Sequence, residues 1–185
     1  MKSGLLLVDI QNDYFAGGNM SLVGMQEAAG NAAKLLQEFR DRTFPVFHIR
    51  HIAKHPGATF FLADTHGAEI HATVAPHPDE TVVEKNYPNS FRDTSLLDCL
   101  RDANIKDVVI CGAMSHMCID ATTRAAFDFG FNCTVIEDAC ATRNLEYKGE
   151  TLKAGDVHAA FMTALAAAYA KVISAGELSS LIAQS

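Results

Sequence analysis

The chain has 185 residues, 49% hydrophobic and 20% charged, with a net charge of −7. That composition suits one globular domain over 1–185 with a single core. The acidic balance, with no Lys/Arg run to neutralise phosphates, excludes a nucleic-acid partner, and no apolar run is long enough to span a membrane.

The opening MKSGLLLVDI is too short in its apolar part for a signal peptide. The five cysteines (Cys99, Cys111, Cys118, Cys133 and Cys140) are odd in number and lack C-x-x-C spacing. They read as reduced thiols in a cytoplasmic protein.

Residues 4–8 are a continuous apolar run, as expected of a strand buried on both faces, and Asp9 ends it. A polar, Gly-containing loop follows. Residues 24–41 place Ala28, Ala29, Ala32, Leu35, Leu36 and Phe39 at helical spacing. Residues 44–49 read as a second strand with Pro45 near its start. From 50 to 80 periodicity disappears, and His51, His55, His66, His71 and His77 fall there with three prolines and two glycines. So long an aperiodic excursion inside a domain reads as an active-site wall or lid, shared with a neighbouring subunit in one version of the reading. Residues 81–84 form a short strand with Lys85 after it, and 86–91 (NYPNSF) a loop. Thr94 or Ser95 caps a helix to Ala103.

Residues 107–111 are a strand that ends at Gly112. After a short turn, Cys118 stands where a helix begins, signalled by Ala121, Ala125, Ala126 and Phe129 and stopped at Gly130. Residues 131–136 are a strand ended by Asp138, Asp156 caps a long helix through Ala168, and 172–173 form a last short strand before a final helical turn. Strands alternating with helices predict an α/β fold with a mostly parallel sheet and right-handed crossovers.

Cys118 admits two readings. It is a small buried apolar residue, or a thiol whose pKa falls at a helix N-terminus. Reactive groups of parallel sheets gather at the carboxyl ends of the strands, which places Asp9, Lys85 and Cys118 on one sheet edge. A carboxylate beside a thiol can take its proton and later activate water, a lysine favours both anions, and amides of the turn can hold an oxyanion. The chemistry predicted is acyl transfer to Cys118 followed by hydrolysis. No G-x-G-x-x-G follows the first strand, where the chain reads D-I-Q-N-D, so a dinucleotide site is excluded.

The segments LLLVDIQNDYF, VVEKNYPNSF and GAMSHMCIDATTRAAFDFG, in this order, resemble the isochorismatase-like cysteine hydrolases, a family that includes nicotinamidases and carbamoyl-sarcosine amidases. The resemblance covers nearly the whole chain. It implies a three-layer α/β/α sandwich of Rossmann-like topology and a catalytic triad of Asp9, Lys85 and Cys118. It also implies a cis peptide between Ala113 and Met114, an oxyanion hole from the Met114 and Cys118 N–H groups, and a homo-oligomer, dimer or larger. Isochorismatase domains proper carry glycine at the nucleophile position, so Cys118 favours cleavage of an amide, ureide or carbamoyl C–N bond in a small molecule. The competing readings are a non-catalytic small-molecule-binding relative and a metal-dependent nicotinamidase-type amidase. Nicotinamidases bind a metal through an aspartate and histidines after the second strand. Here that region reads HIRHIAKHPG, with His51 on one ligand position and no aspartate, so no metal and no other cofactor are expected.

Phe15, His51, Tyr87 and Phe91 flank triad residues and are candidate walls for a small flat substrate, with Phe15 and Phe91 favoured over His51 and Tyr87, although aromatic residues there are equally open to a core role. His116, two residues before Cys118, is a candidate base for the thiol on proximity alone. The resemblance assigns that role to Asp9 and leaves His116 as a supporting or substrate-contacting group.

Overall fold

The computed structural model describes residues 3–183. Its centre is a six-stranded sheet, all parallel, in the order β3-β2-β1-β4-β5-β8. The strands are β1 (Ser3–Val8), β2 (Val46–His51), β3 (Thr81–Lys85), β4 (Asp107–Ala113), β5 (Asn132–Ala141) and β8 (Lys171–Ile173). The helices are α1 (Met25–Asp41), α2 (Leu96–Asp102), α3 (Asp120–Asp128), α4 (Ala154–Ala168) and α5 (Ala175–Ala183). Strands β6 (Leu145–Tyr147) and β7 (Glu150–Leu152) make a separate antiparallel hairpin.

The apolar runs explain the sheet. Leu5, Leu6 and Val8 of β1 and Ile110 and Cys111 of β4 are fully enclosed, because strands in the middle of a parallel sheet are covered on both faces. Helix α1 turns its Ala28, Ala29, Ala32, Leu35, Leu36 and Phe39 face to the sheet, and α5 packs beside it. Right-handed crossovers put α2, α3 and α4, which connect strands progressing the other way across the sheet, on the opposite face. The result is three α/β/α layers. Chain order reverses between β1 and β4, and at such a switch point loops diverge and leave a crevice.

Two backbone features shape that crevice. Asp9 adopts a left-handed conformation at φ 52°, which turns its side chain out of the β1 line. Gly112 has φ 124°, and a Cβ there would collide with the Val8 backbone. Only glycine lets β4 pass β1 so closely at the end that carries the site.

Several boundaries differ from the pattern-based expectation. Strand β2 starts at Val46, after Pro45 rather than around it. Strand β5 runs past Asp138 to Ala141, with an irregular register opposite 110–112. Asp138 instead serves α5, its Oδ1 accepting from Ala175 N–H at 2.8 Å. Helix α4 starts at Ala154 with Asp156 inside its first turn, and the Asn144 side chain accepts the Ala154 N–H at 2.8 Å. The described residues end on nine residues of helix rather than one turn. Lys85 is the last residue of β3, not the first beyond it. Among the described residues no helix is long and apolar enough to cross a membrane.

Candidate active site

Asp9, Lys85 and Cys118 converge at the carboxyl end of the sheet, each fully or almost fully buried. Lys85 is the hub. Its Nζ donates to Asp9 Oδ2 at 2.7 Å, His51 Nδ1 at 2.9 Å, the Tyr87 carbonyl at 3.1 Å and Cys118 Sγ at 3.3 Å. An ammonium has three protons, so these four acceptors share them, and the thiol is the most distant. The other Asp9 oxygen, Oδ1, is enclosed and has no hydrogen-bond partner among the described residues. Asp9, His51 and Cys118 each place a ligand-type atom within 4.8 Å of the others. Asp9 therefore keeps a free lone pair close to the Cys118 thiol.

Charge follows from this packing. Burial works against the Lys85 ammonium, but Asp9 and then Cys118 more than offset it and hold its pKa above the ordinary lysine value. Burial pushes the Cys118 thiol well up, Asp9 adds to that, and Lys85 only partly opposes it. The lowered thiol pKa expected of a helix N-terminus is therefore corrected. Cys118 lies in a wide π-helical turn, Ser115–Ile119, ahead of α3, and desolvation beside a carboxylate outweighs the helix dipole. The resting site holds a neutral thiol. Burial, then Lys85, depresses His51 to about 4, so His51 is neutral, accepts from Lys85 at Nδ1 and carries its proton on Nε2.

The turn carrying Cys118 is firmly tied. The peptide between Ala113 and Met114 is cis. The Met114 carbonyl accepts from Met117 N–H at 2.9 Å and Ile119 N–H at 3.2 Å, on either side of Cys118. Cys118, near the start of the helical run, has one of the N–H groups that no preceding turn can satisfy. The Ser115 hydroxyl lies 2.8 Å from His158 Nδ1 of α4, and His116 Nδ1 lies 2.6 Å from Thr142 Oγ1.

A cavity of about 470 Å³ opens above the thiol. Its floor and walls come from Cys118, Met114, Met117, Tyr14, His51, Phe60, Phe61 and Tyr87, with Lys54, His55 and Asn86 adding polar groups. Residues 53–61 of the aperiodic excursion thus form a wall. Asp13 anchors it by accepting the Phe61 N–H at 2.6 Å. Gln11 ties its neighbour, donating to the His51 and Ala68 carbonyls at 2.9 and 2.8 Å and accepting His51 N–H at 2.7 Å. Arg92 lies 3.6 Å over the Tyr87 ring.

Of the expected substrate contacts, His51 and Tyr87 line this cavity, and Phe15, Phe91 and His116 do not. Phe15 stacks on His71 at 3.6 Å, because the 3-10 turn Asn12–Tyr14 points Tyr14 inward and Phe15 away. Phe91 packs among Phe129 and Phe131. His116 faces Thr142 and the edge of Phe161. Tyr14, Phe60, Phe61 and Met117 are cavity residues that sequence patterning passes over. Their one signal is the polar D-I-Q-N-D run, whose side chains fasten this wall.

The donor set does not suit a metal ion. Asp9, His51 and Cys118 form the one suitable cluster among the described residues, and the Lys85 ammonium already contacts all three. His48 cannot join His51, because residues three apart on a strand face opposite sides. His48 Nε2 bonds Glu80 Oε2 at 2.9 Å on the far face.

The isochorismatase domain family matches residues 3–177. The uncharacterized isochorismatase family protein YddQ of Bacillus subtilis (strain 168) is 50% identical over 172 residues, 93% of this chain and 96% of that protein. The crystal structure of an isochorismatase hydrolase from Oleispira antarctica is 54% identical, covers 96% of this chain and 95% of that chain, and superimposes with a TM-score of 0.92. Nicotinamidase 3 of Arabidopsis thaliana is 30% identical over 163 residues, covering 81% of this chain and 78% of that protein.

Proposed function

This chain belongs to the isochorismatase family of hydrolases, and from that premise we propose that it cleaves the C–N bond of a small amide, ureide or carbamoyl compound through a thioester on Cys118. The observation that carries the reading is the single ammonium of Lys85 held between Asp9 Oδ2 at 2.7 Å and Cys118 Sγ at 3.3 Å, beneath an apolar cavity. A nicotinamidase among the relatives supports an amide as substrate.

In this mechanism Asp9 Oδ1 takes the thiol proton as Sγ attacks the carbonyl carbon. Lys85 stays charged and balances the thiolate and carboxylate as the proton moves. The carbonyl oxygen becomes an oxyanion that the Met114 and Cys118 N–H groups receive. Collapse breaks the C–N bond, and Asp9 returns its proton to the leaving nitrogen. Water then gives a proton to Asp9 and its oxygen to the thioester carbonyl. The acid departs, and the proton returns to Sγ. The sum is amide plus water to acid plus amine, with the site unchanged. Because the resting thiol is neutral, the attack and the proton transfer are coupled, and substrate rather than solvent triggers the nucleophile.

Turnover of a panel of primary amides, ureides and N-carbamoyl amino acids by wild type and Cys118→Ala tests the proposal. Hydrolysis of a panel member by wild type and its loss in the variant is the expected result. Equal turnover by both proteins overturns it.

A further inference from the structure

One polar group in the cavity wall has no task in the mechanism above. Tyr14 is 2% exposed, and its ring is held by Phe61 at 4.5 Å and Phe60 at 6.0 Å between centroids. The residue lines the cavity over Cys118, yet its hydroxyl makes no hydrogen bond to any described residue. A buried phenol ordinarily finds a partner. Two neighbouring polar groups are held by the protein itself: Asn86 donates to the Ile52 carbonyl at 2.8 Å, and His51 Nδ1 accepts from Lys85. Burial, then the fields of Cys118 and Asp9, raise the Tyr14 pKa well above its ordinary value, so the group is a permanent donor close to the reaction centre. A fixed donor without an acceptor, set beside the apolar Phe60, Phe61, Met114 and Met117, is the arrangement that reads one polar atom on a mostly apolar ligand.

We propose that Tyr14 is a substrate-contacting specificity residue whose hydroxyl donates to an acceptor atom carried beside the scissile carbonyl. The site then selects amides with an acceptor on the acyl side over their all-carbon counterparts. A site built to hydrogen-bond a substrate discriminates against the analogue lacking that group, which leaves the donor unpaired. The inference rests on the amidase reading for its ligand class, but not on the thioester.

Calorimetric titration of Cys118→Ala, which cannot turn substrate over by the proposed route, tests it with benzamide and the three pyridine carboxamide isomers. These share size and shape and differ by one ring acceptor. With Tyr14 present, at least one isomer should bind about five- to tenfold tighter than benzamide, the range of one neutral hydrogen bond. Adding Tyr14→Phe should bring that isomer to the benzamide level, change benzamide less than about twofold, and leave the ligand-free melting temperature unlowered, since the hydroxyl holds nothing in the free protein. Four results overturn the inference: no binding of any of the four, equal affinity for all, discrimination that survives Tyr14→Phe, or equal weakening of all four with a fall in melting temperature. The last marks a structural hydroxyl. Turnover by Cys118→Ala would refute the thioester and leave the affinity ratios intact, so the two claims fail separately.

Discussion

The Lys85 ammonium lies 2.7 Å from Asp9 Oδ2 with neither side chain exposed to solvent. A buried ion pair of this kind is weak evidence for stability as such, because desolvation of both charges opposes their attraction. Its persistence beneath a cavity, with a thiol as neighbour, fits a group kept for chemistry.

Breaking the pair from one side should therefore be costly. Lys85→Met should lower unfolding free energy by about 3–5 kcal/mol, the usual result of leaving a buried charge unpaired, and abolish turnover. The Lys85→Met/Asp9→Asn double variant should regain most of that stability but none of the activity. Urea unfolding of the four proteins of the cycle measures this, and strictly additive losses would refute the coupling.

His51 reports the field of Lys85. Its folded pKa of about 4 lies below the ordinary 6.5, through burial first and Lys85 second. NMR of its ring should show a neutral imidazole protonated at Nε2 down to about pH 4, and the titration should move upward in Lys85→Met. Because the folded state binds fewer protons between these two values, His51 makes stability decline as pH falls from about 6.5 to about 4 and adds nothing further below that. A ring that titrates near 6.5 in the folded protein would contradict the contact.

A second titration lies on the far face of β2. Arg40 holds Glu80 through two contacts of 2.7 Å, and His48 Nε2 adds one at 2.9 Å. Burial alone would raise the Glu80 carboxyl, but Arg40, the His77 amide and His48 together hold it at about 2. A carboxyl with a depressed folded pKa stabilises the protein fully above its unfolded value, and that stabilisation is lost as pH falls from about 4.5 to about 2. Glu80→Gln should cost about 2 kcal/mol at neutral pH, and its melting temperature should converge on wild type towards pH 2. A difference that is constant with pH would exclude the ion pair as its cause.

The raised thiol pKa also has a kinetic signature. Iodoacetamide labelling of Cys118 should still be accelerating at about pH 9, since the thiolate is the reactive form and burial beside Asp9 suppresses it. A labelling rate that levels off below about pH 7 would mark a preformed thiolate and contradict the coupled attack.

Much of this was legible before any coordinates. Asp9 sits at the end of an apolar run because a buried parallel strand must be apolar until it leaves the sheet, and the run leading to Cys111 and Gly112 shows the same rule. Lys85 instead closes the short edge strand β3, in which only Val83 of the four residues before it is buried. What stayed hidden depends on contacts between distant segments. The polar Glu137 and Asp138 looked like a strand end, yet β5 continues past these two exposed residues through an irregular register to the buried Ala139, Cys140 and Ala141, and Asp138 accepts from the Ala175 N–H of α5. The β6–β7 hairpin is too short for alternation to register, and its turn at Lys148 and Gly149 lacks the usual asparagine–glycine cue. Phe60 and Phe61 lie in an aperiodic stretch whose path is set by Asp13, 48 positions earlier. Tyr14 and Phe15 are both aromatic and adjacent, and only the 3-10 turn decides which one lines the cavity.

The central claim is a covalent intermediate on Cys118, and intact mass spectrometry with peptide mapping reads it directly. Wild type quenched during turnover of a panel amide should carry the mass of the acyl group on the Cys118 peptide. Cys118→Ala should carry none, and the other four cysteines should stay unmodified in both. Turnover by wild type with no acyl mass under conditions that trap a thioester, or an adduct that persists in Cys118→Ala, would contradict the account.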